Sequence, residues 1–240
     1  MTRPFLSVVI PAYNEARRLP LTLIDIDRHL SKQEFSYDIT VVVSPGNDNT
    51  LEILKRFENI IKHLRIIPLQ ENQGRGLAVK TGMLAAKGNW RLVMDADNSA
   101  PIIEFEKMLP HLKDYDVIIG SRFIMGGQID PPAPAGRRFW SRIGRFFIKS
   151  FIVKNIEDTD CGFKCFSATA TDKLFSIAQN TGWALDTEVL MLAQTLGLKI
   201  REVPIFWSYD SGTHRTARSY GNILIEYLKV WLRKTRKKLA

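Results

Sequence analysis

The chain has 240 residues, 45% of them hydrophobic and 25% charged, with a net charge of +9. That is long enough to bury a sizeable core, as one large domain or two small ones, and the composition is that of an ordinary globular protein. The positive balance favours an anionic partner, whether a nucleotide, a phospholipid surface or a nucleic acid.

In chain order, Leu6 to Ile10 is a continuous apolar, β-rich run that ends in Pro11-Ala12-Tyr13-Asn14-Glu15, as a buried parallel strand followed by a turn does. Leu19 to Leu30 has helical spacing. Ile39 to Val43 reads as a second strand, and Ser44 to Asn49 as a turn entering a helix that contains Leu51, Leu54 and Phe57. Leu64 to Ile67 is a third strand, followed by the glycine-bearing loop Glu71 to Gly76 and a helix over Leu77 to Ala86. Leu92 to Met94 is a fourth strand and Val117 to Ile119 a fifth. Strands alternating with helices predict a mostly parallel sheet flanked by helices, an α/β class whose strand C-terminal edge binds ligands. Neither a Gly-x-Gly-x-x-Gly turn nor a Gly-Lys-Ser/Thr loop is present, which disfavours dinucleotide dehydrogenases and P-loop enzymes.

At the end of the fourth strand stand Asp95 and Asp97, one small residue apart. Two carboxylates so placed can share a hard divalent cation whose remaining ligands are diphosphate oxygens. The competing reading is a polar turn that caps a helix starting near Pro101. Beyond Ser121-Arg122 the pattern changes. Met125 to Gly136 reads as a long Gly/Pro loop. Arg137 to Lys154 carries aromatics and six basic residues and no acid. That suits an amphipathic helix lying on an anionic lipid interface, the alternative being a sheet-packed helix with a solvated basic face. Further on come the polar turn Asp158 to Lys164, a short Cys165-Phe166 strand, and helices near Ala168 to Ala178 and Asp186 to Leu196. Strands at Lys199 to Val203 and Ile205 to Trp207 follow, interrupted by Pro204. A basic loop at Ser211 to Arg215 precedes a terminal helix, Ile223 to Leu232, which reads equally as core-packed or as a second membrane contact. The basic run Arg233 to Lys238 ends the pattern.

The two cysteines, Cys161 and Cys165, have no His or Cys cluster beside them. Neither a zinc site nor a disulfide framework is expected, and a reducing compartment fits. No apolar run reaches the ~18 residues of a membrane span. The chain also opens straight into a strand-like run, so no signal peptide is expected.

In order and spacing, Ser7 to Glu15, Asn72-Gln73-Gly74-Arg75-Gly76, Asp95-Ala96-Asp97 and Gly120-Ser121-Arg122 resemble family 2 inverting glycosyltransferases. Asp158 to Lys164, Gly182 to Glu188 and Glu202-Val203-Pro204-Ile205 are similar to the dolichyl- and polyprenyl-phosphate hexose synthases, the glucose-transferring branch first and the mannose synthases next. The resemblance covers roughly residues 5 to 215. It implies a single nucleotide-diphospho-sugar transferase (GT-A) fold with a glycosyltransferase domain over 1–217. That domain divides into a nucleotide-sugar half (about 1–123) and an acceptor half (about 124–217), before a C-terminal helix and basic tail (218–240).

It implies transfer of a hexose from a nucleoside-diphosphate sugar to a polyprenyl phosphate on the cytosolic face of a membrane, by a peripheral protein with Mg2+ or Mn2+. Asp95 and Asp97 would hold the metal. Pro11, Ala12, Tyr13, Glu15, Gly74, Arg75, Ala96 and Asp158 would line the nucleotide-sugar pocket. Glu15 is also a plain first-turn helix carboxylate. Arg122 would contact phosphate, as would Arg138, Ser141 and Arg142 on the acceptor side. Asp186 and Glu188 stand where relatives carry a base, though a phosphate acceptor is already ionised and helix N-terminal carboxylates need no catalytic reason.

The sequence departs from the family's pattern at several points. Ser44-Pro45-Gly46-Asn47 stands where relatives have an acidic turn, Asp160 replaces a commoner Gln, and Arg75 stands where Lys is frequent. The membrane anchor of many relatives is not expected here, so amphipathic helices or a membrane protein partner would have to hold the chain, or the acceptor is not a membrane lipid. A soluble glycan acceptor and a non-catalytic nucleotide-sugar or membrane-surface binding protein are the other readings. A nucleic-acid partner is disfavoured, because the basic and aromatic residues gather in one helix rather than along a groove.

Overall fold

The computed structural model describes residues 3–132, 135–208 and 217–235. Among these, one seven-stranded sheet has the order β3-β2-β1-β4-β7-β5-β8. Its strands are β1 (Leu6–Ala12), β2 (Tyr37–Val43), β3 (Leu64–Pro68), β4 (Trp90–Val93), β5 (Val117–Ser121), β7 (Lys164–Ser167) and β8 (Ile200–Pro204). Every adjacent pair is parallel except those involving β7, which runs antiparallel to both β4 and β5. Six strands therefore point their C-terminal ends at one edge, and β7 starts there. A small second sheet pairs β6 (Gln128–Asp130) with β9 (Phe206–Ser208).

The strands are buried on both faces, so their apolar runs divide by alternation. Leu6, Val8, Ile10 and Ala12 of β1 enter one core with Leu19, Leu23, Ile26 and Leu30 of α1 (Leu19–Leu30) and Leu54 of α2 (Thr50–Phe57). Val9 enters the opposite core with Val79 and Met83 of α3 (Arg75–Ala85). That second core also takes Leu174 of α5 (Ala168–Ile177) and Val189 of α6 (Leu185–Thr195). Ile148 and Ile152 at the end of α4 (Ala135–Phe151), and Tyr227 and Val230 of α7 (Ala217–Thr235), complete it.

Two expectations change. The segment after Pro101 forms short 3-10 turns, Ile102–Lys107 and Leu109–His111, in place of an α-helix. The Gly/Pro loop contains β6, tied to β9, and α4 begins at Ala135 inside its expected range. The two strands expected on either side of Pro204 form as β8 and β9, with Pro204 the last residue of β8, opposite Ser121. The Ser211 to Arg215 loop and the last part of the basic run lie outside the described residues.

Candidate active site

The strand order turns outward in both directions from β1 and β4, which is the switch point where an open α/β sheet holds its ligand. The turn after β4 lies there. Ala96 faces the core, 4% exposed, and its carbonyl accepts a hydrogen bond from the Thr22 hydroxyl at 2.8 Å. Asp95 and Asp97 flank it, both half-buried, Asp95 just past the end of β4 at Val93 and Asp97 in the turn that follows. Asp97 accepts from the Ser99 amide at 3.0 Å. Burial raises its carboxyl above the usual range, and the Asp95 charge raises it further. Two mutually repelling hard-oxygen donors at a sheet edge fit a divalent cation such as Mg2+ or Mn2+.

Arg75 links the carboxylates. Gly74, with φ of +104°, starts α3 and lies so close to the Thr181 carbonyl that a Cβ would come within 2.8 Å of it. Gly76 packs as tightly on the same backbone. From this fixed helix start, Arg75 donates to Asp95 Oδ1 through Nε (3.2 Å) and Nη2 (2.7 Å), and to Asp186 Oδ2 through Nη1 (2.7 Å). Lys164, at the start of β7 and 1% exposed, donates to Asp186 Oδ1 at 2.8 Å. Burial alone would raise the Asp186 carboxyl, but Lys164 and Arg75 outweigh it and hold it below the ordinary range. Both Asp186 oxygens are thus engaged by cations.

Across the cleft, Arg122 follows β5. It grips the fully buried Asp158 with its backbone amide (3.0 Å) and Nε (2.7 Å) on Oδ2, and with Nη2 (2.8 Å) on Oδ1. Burial opposes ionisation of Asp158, and Arg122 overcomes it, so the carboxyl stays below its usual range. The Arg122 guanidinium lies between the rings of Phe123 (5.3 Å) and Trp207 (4.7 Å), with part of its side chain open to the cleft. Arg145 of α4 stacks on the Phe123 ring as well, at 3.6 Å, and donates to Ser141 Oγ at 3.0 Å. Arg138, Ser141 and Arg142 are exposed on the same helix.

Glu15 is held by Arg18, Nε on Oε2 and Nη2 on Oε1. Its carboxyl is raised first by burial, with Asp97 and Asp95 adding to the effect, so it sits within electrostatic reach of both. Tyr13 is 48% exposed beside it, while Pro11 and Ala12 close the end of β1. The turn after β2, lacking acids, packs on this segment. The Asn14 side chain accepts from the Asn47 amide at 2.9 Å, and Asp48, next along, accepts from the Ala16 amide at 3.0 Å.

Glu188 is not brought into this group. It is 1% exposed and accepts from the amides of Gln179 and Asn180 and from Arg233. It shapes the 179–184 turn on which Gly74 and Gly76 rest. Asp158, expected among sugar or metal contacts, has no exposed oxygen left for either.

Four residues that local patterns did not single out, Lys164, Arg145, Glu226 and Tyr227, also reach this region. Glu226 accepts from the Ala184 amide at 2.9 Å, and Tyr227 donates to Asp160 Oδ1 at 2.9 Å. A lysine opening an apolar strand was the one signal on view. The other contacts span tens of residues.

The family described as Glycosyl transferase family 2 matches residues 7–175. A dolichyl-phosphate beta-glucosyltransferase of Drosophila melanogaster is 34% identical over 231 residues, covering 88% of this chain and 69% of that protein. Another, from Dictyostelium discoideum, is 32% identical over 225 residues, covering 87% and 68%. A crystal structure of glucosyl-3-phosphoglycerate synthase from Mycobacterium tuberculosis with Mn2+, UDP-glucose and phosphoglyceric acid superposes with a TM-score of 0.70 at 18% identity, over 96% of this chain and 79% of that one. Sheet order, the paired aspartates at its switch point and these matches agree that the chain belongs to glycosyl transferase family 2.

Proposed function

We propose that this glycosyltransferase moves glucose from UDP-glucose to the phosphate of a dolichyl or other polyprenyl lipid, with inversion. The observation that carries the reading is the pairing, across one cleft, of an aspartate pair just after β4 with Arg122 and the basic, apolar-exposed α4. Relatives that cover most of the chain and are named dolichyl-phosphate beta-glucosyltransferases support the same acceptor.

Asp95 and Asp97 would hold a divalent cation, which when bound supplies Lewis-acid neutralisation of the leaving diphosphate. Pro11 to Glu15 border the nucleotide. Arg122, with its planar fork, and Arg145 beside it attract the acceptor phosphate and hold one oxygen in line with the anomeric carbon. That oxygen forms the new bond as the bond to the nucleoside diphosphate breaks. The acceptor is ionised at neutral pH, its second pKa being about 6, so the step needs no general base. This accords with an Asp186 whose oxygens are already engaged.

Among the described residues, no helix is long and apolar enough to cross a membrane. On α4, Ile143, Phe146 and Phe151 stay exposed, Phe146 by 72%. On α7, Leu224, Ile225 and Leu228 do the same. Lys234 joins the two helices by donating to the Phe151 and Ile152 carbonyls. Exposed apolar residues interleaved with arginines suit an anionic bilayer surface, which would deliver the lipid phosphate beside Arg122. On this reading residues up to about 123 serve mainly the donor, with Arg122 at the boundary, and about 124–217 mainly the acceptor.

The test is organic-phase label from UDP-glucose, GDP-mannose or UDP-N-acetylglucosamine, with Mn2+ and liposomes containing polyprenyl phosphate. Label from UDP-glucose that is lost in Asp97→Ala is the expected result. No label from any donor overturns the reading.

A further inference from the structure

Of the carboxylates that gather at the cleft, Asp95 and Asp97 are assigned above to the cation, and most of the others are held by protein partners. Glu15 has both oxygens on Arg18. Asp158 has both on Arg122, and Asp186 has one on Arg75 and one on Lys164. Asp95 gives Oδ1 to Arg75, and its Oδ2 lies against Gly162, where a Cβ would approach to 1.9 Å. Asp160 differs. It is solvent-exposed on the turn that carries Asp158. Its Oδ1 accepts from Tyr227, and among the described residues no hydrogen bond reaches Oδ2.

Tyr227 is a buried residue of α7, 8% exposed, and its ring packs in the core with Val230. Its hydroxyl therefore comes from a fixed place. The preceding residue, Glu226, pins the turn ahead of α6 through the Ala184 amide. One turn of α7 thus sets the position of both Asp160 and the start of the helix that carries Asp186.

We propose that Asp160 binds a hydroxyl of the transferred hexose through Oδ2 and so helps select the sugar, and that Tyr227 is its positioning residue. The inference rests on the hexosyl transfer proposed above. A carboxylate suits a hydroxyl donor and repels a phosphate, so Asp160 and Arg122 divide the cleft between sugar and acceptor phosphate. Either protonation state leaves an oxygen able to accept from a hydroxyl.

The test compares kcat/KM for UDP-glucose with that for its 2-, 3-, 4- and 6-deoxy analogues, using the full chain and polyprenyl-phosphate liposomes. A hydrogen bond to a charged group predicts that the wild type disfavours one analogue roughly 10- to 100-fold. Asp160→Ala should shrink that penalty to under about 3-fold by slowing UDP-glucose itself, with KM for the lipid unchanged. Tyr227→Phe should shrink the same penalty, and for the same analogue. Val230→Ala, a buried change on the same helix, should lower the melting temperature and keep the full penalty.

An unaltered deoxy profile in Asp160→Ala overturns the proposal, and a flattened profile in Val230→Ala overturns the positioning role. A wild type that transfers no glucose instead defeats the proposed function. The inference is then decided by calorimetry, where UDP-glucose must bind more tightly than UDP in the wild type and not in Asp160→Ala.

Discussion

Removing Arg122 should cost stability well before catalysis is considered. Asp158 is fully buried and receives three hydrogen bonds from Arg122, two from the guanidinium and one from the backbone amide. Arg122→Ala keeps the amide and deletes the charge. An ion left buried without its partner costs about 3–5 kcal/mol. For a chain of this length that lowers the melting temperature by roughly 6–20 °C.

The pH dependence follows from the two directions of shift. In the wild type Arg122 holds the Asp158 carboxyl below its unfolded value of about 3.9. Its contribution to stability is therefore present above that value and lost as pH falls through the lower, folded one. In the variant, burial is no longer outweighed and the folded carboxyl rises above the unfolded value. The penalty is then full at neutral pH and eases as the group takes up a proton. Thermal melts followed by circular dichroism should show the widest gap between wild type and variant near pH 7.5 and a clearly smaller one near pH 5. A gap below about 1 kcal/mol at pH 7.5, or one that does not change with pH, would refute the assignment of Asp158 as a buried charge that depends on Arg122.

Gly162→Ala would bring a Cβ to 1.9 Å from Asp95 Oδ2, so that carboxylate must move. Transfer should fall at least 10-fold and demand more Mn2+ for half-maximal rate, read from a metal titration. Glu188→Gln keeps an acceptor for the 179–180 amides but loses the Arg233 ion pair. It should lower the melting temperature and leave kcat within about 3-fold, whereas a general base would cost at least 10²-fold. Phe146→Glu places a charge on a site that is 72% exposed, so folding should be untouched. Sedimentation with anionic liposomes should drop several-fold, and unchanged sedimentation would remove α4 from the membrane contact.

Much of the fold can be read locally, because a strand buried on both faces is a continuous apolar run and its helices repeat at 3.6. Leu6–Ala12 and Leu19–Leu30 fall where those patterns put them. The three-residue strand Gln128–Asp130 carries too few residues for any period, and only its pairing with Phe206–Ser208, within a residue of the strand expected at Ile205 to Trp207, defines it. Tyr227 and Asp160 meet across 67 positions of chain, a contact no window contains. Asp158 shows a different limit. Residue type marked it as polar and functional, but its burial beneath Arg122 depends on which way the turn faces.

The two acidic pairs show how far spacing can be pressed. Asp95 and Asp97 are two apart where the chain leaves β4 and turns, both half-buried on either side of the buried Ala96, whose carbonyl is held by Thr22. Asp186 and Glu188 are also two apart, but in the first turn of a helix. At about 100° per residue their side chains leave the axis about 200° apart. One cleft cannot hold both, and the structure divides them accordingly, Asp186 to Arg75 and Lys164, Glu188 to the 179–184 turn and Arg233. The same spacing that supports a shared metal where a strand ends argues against a shared role within a helix, and the element type, itself legible in the sequence, decides between them.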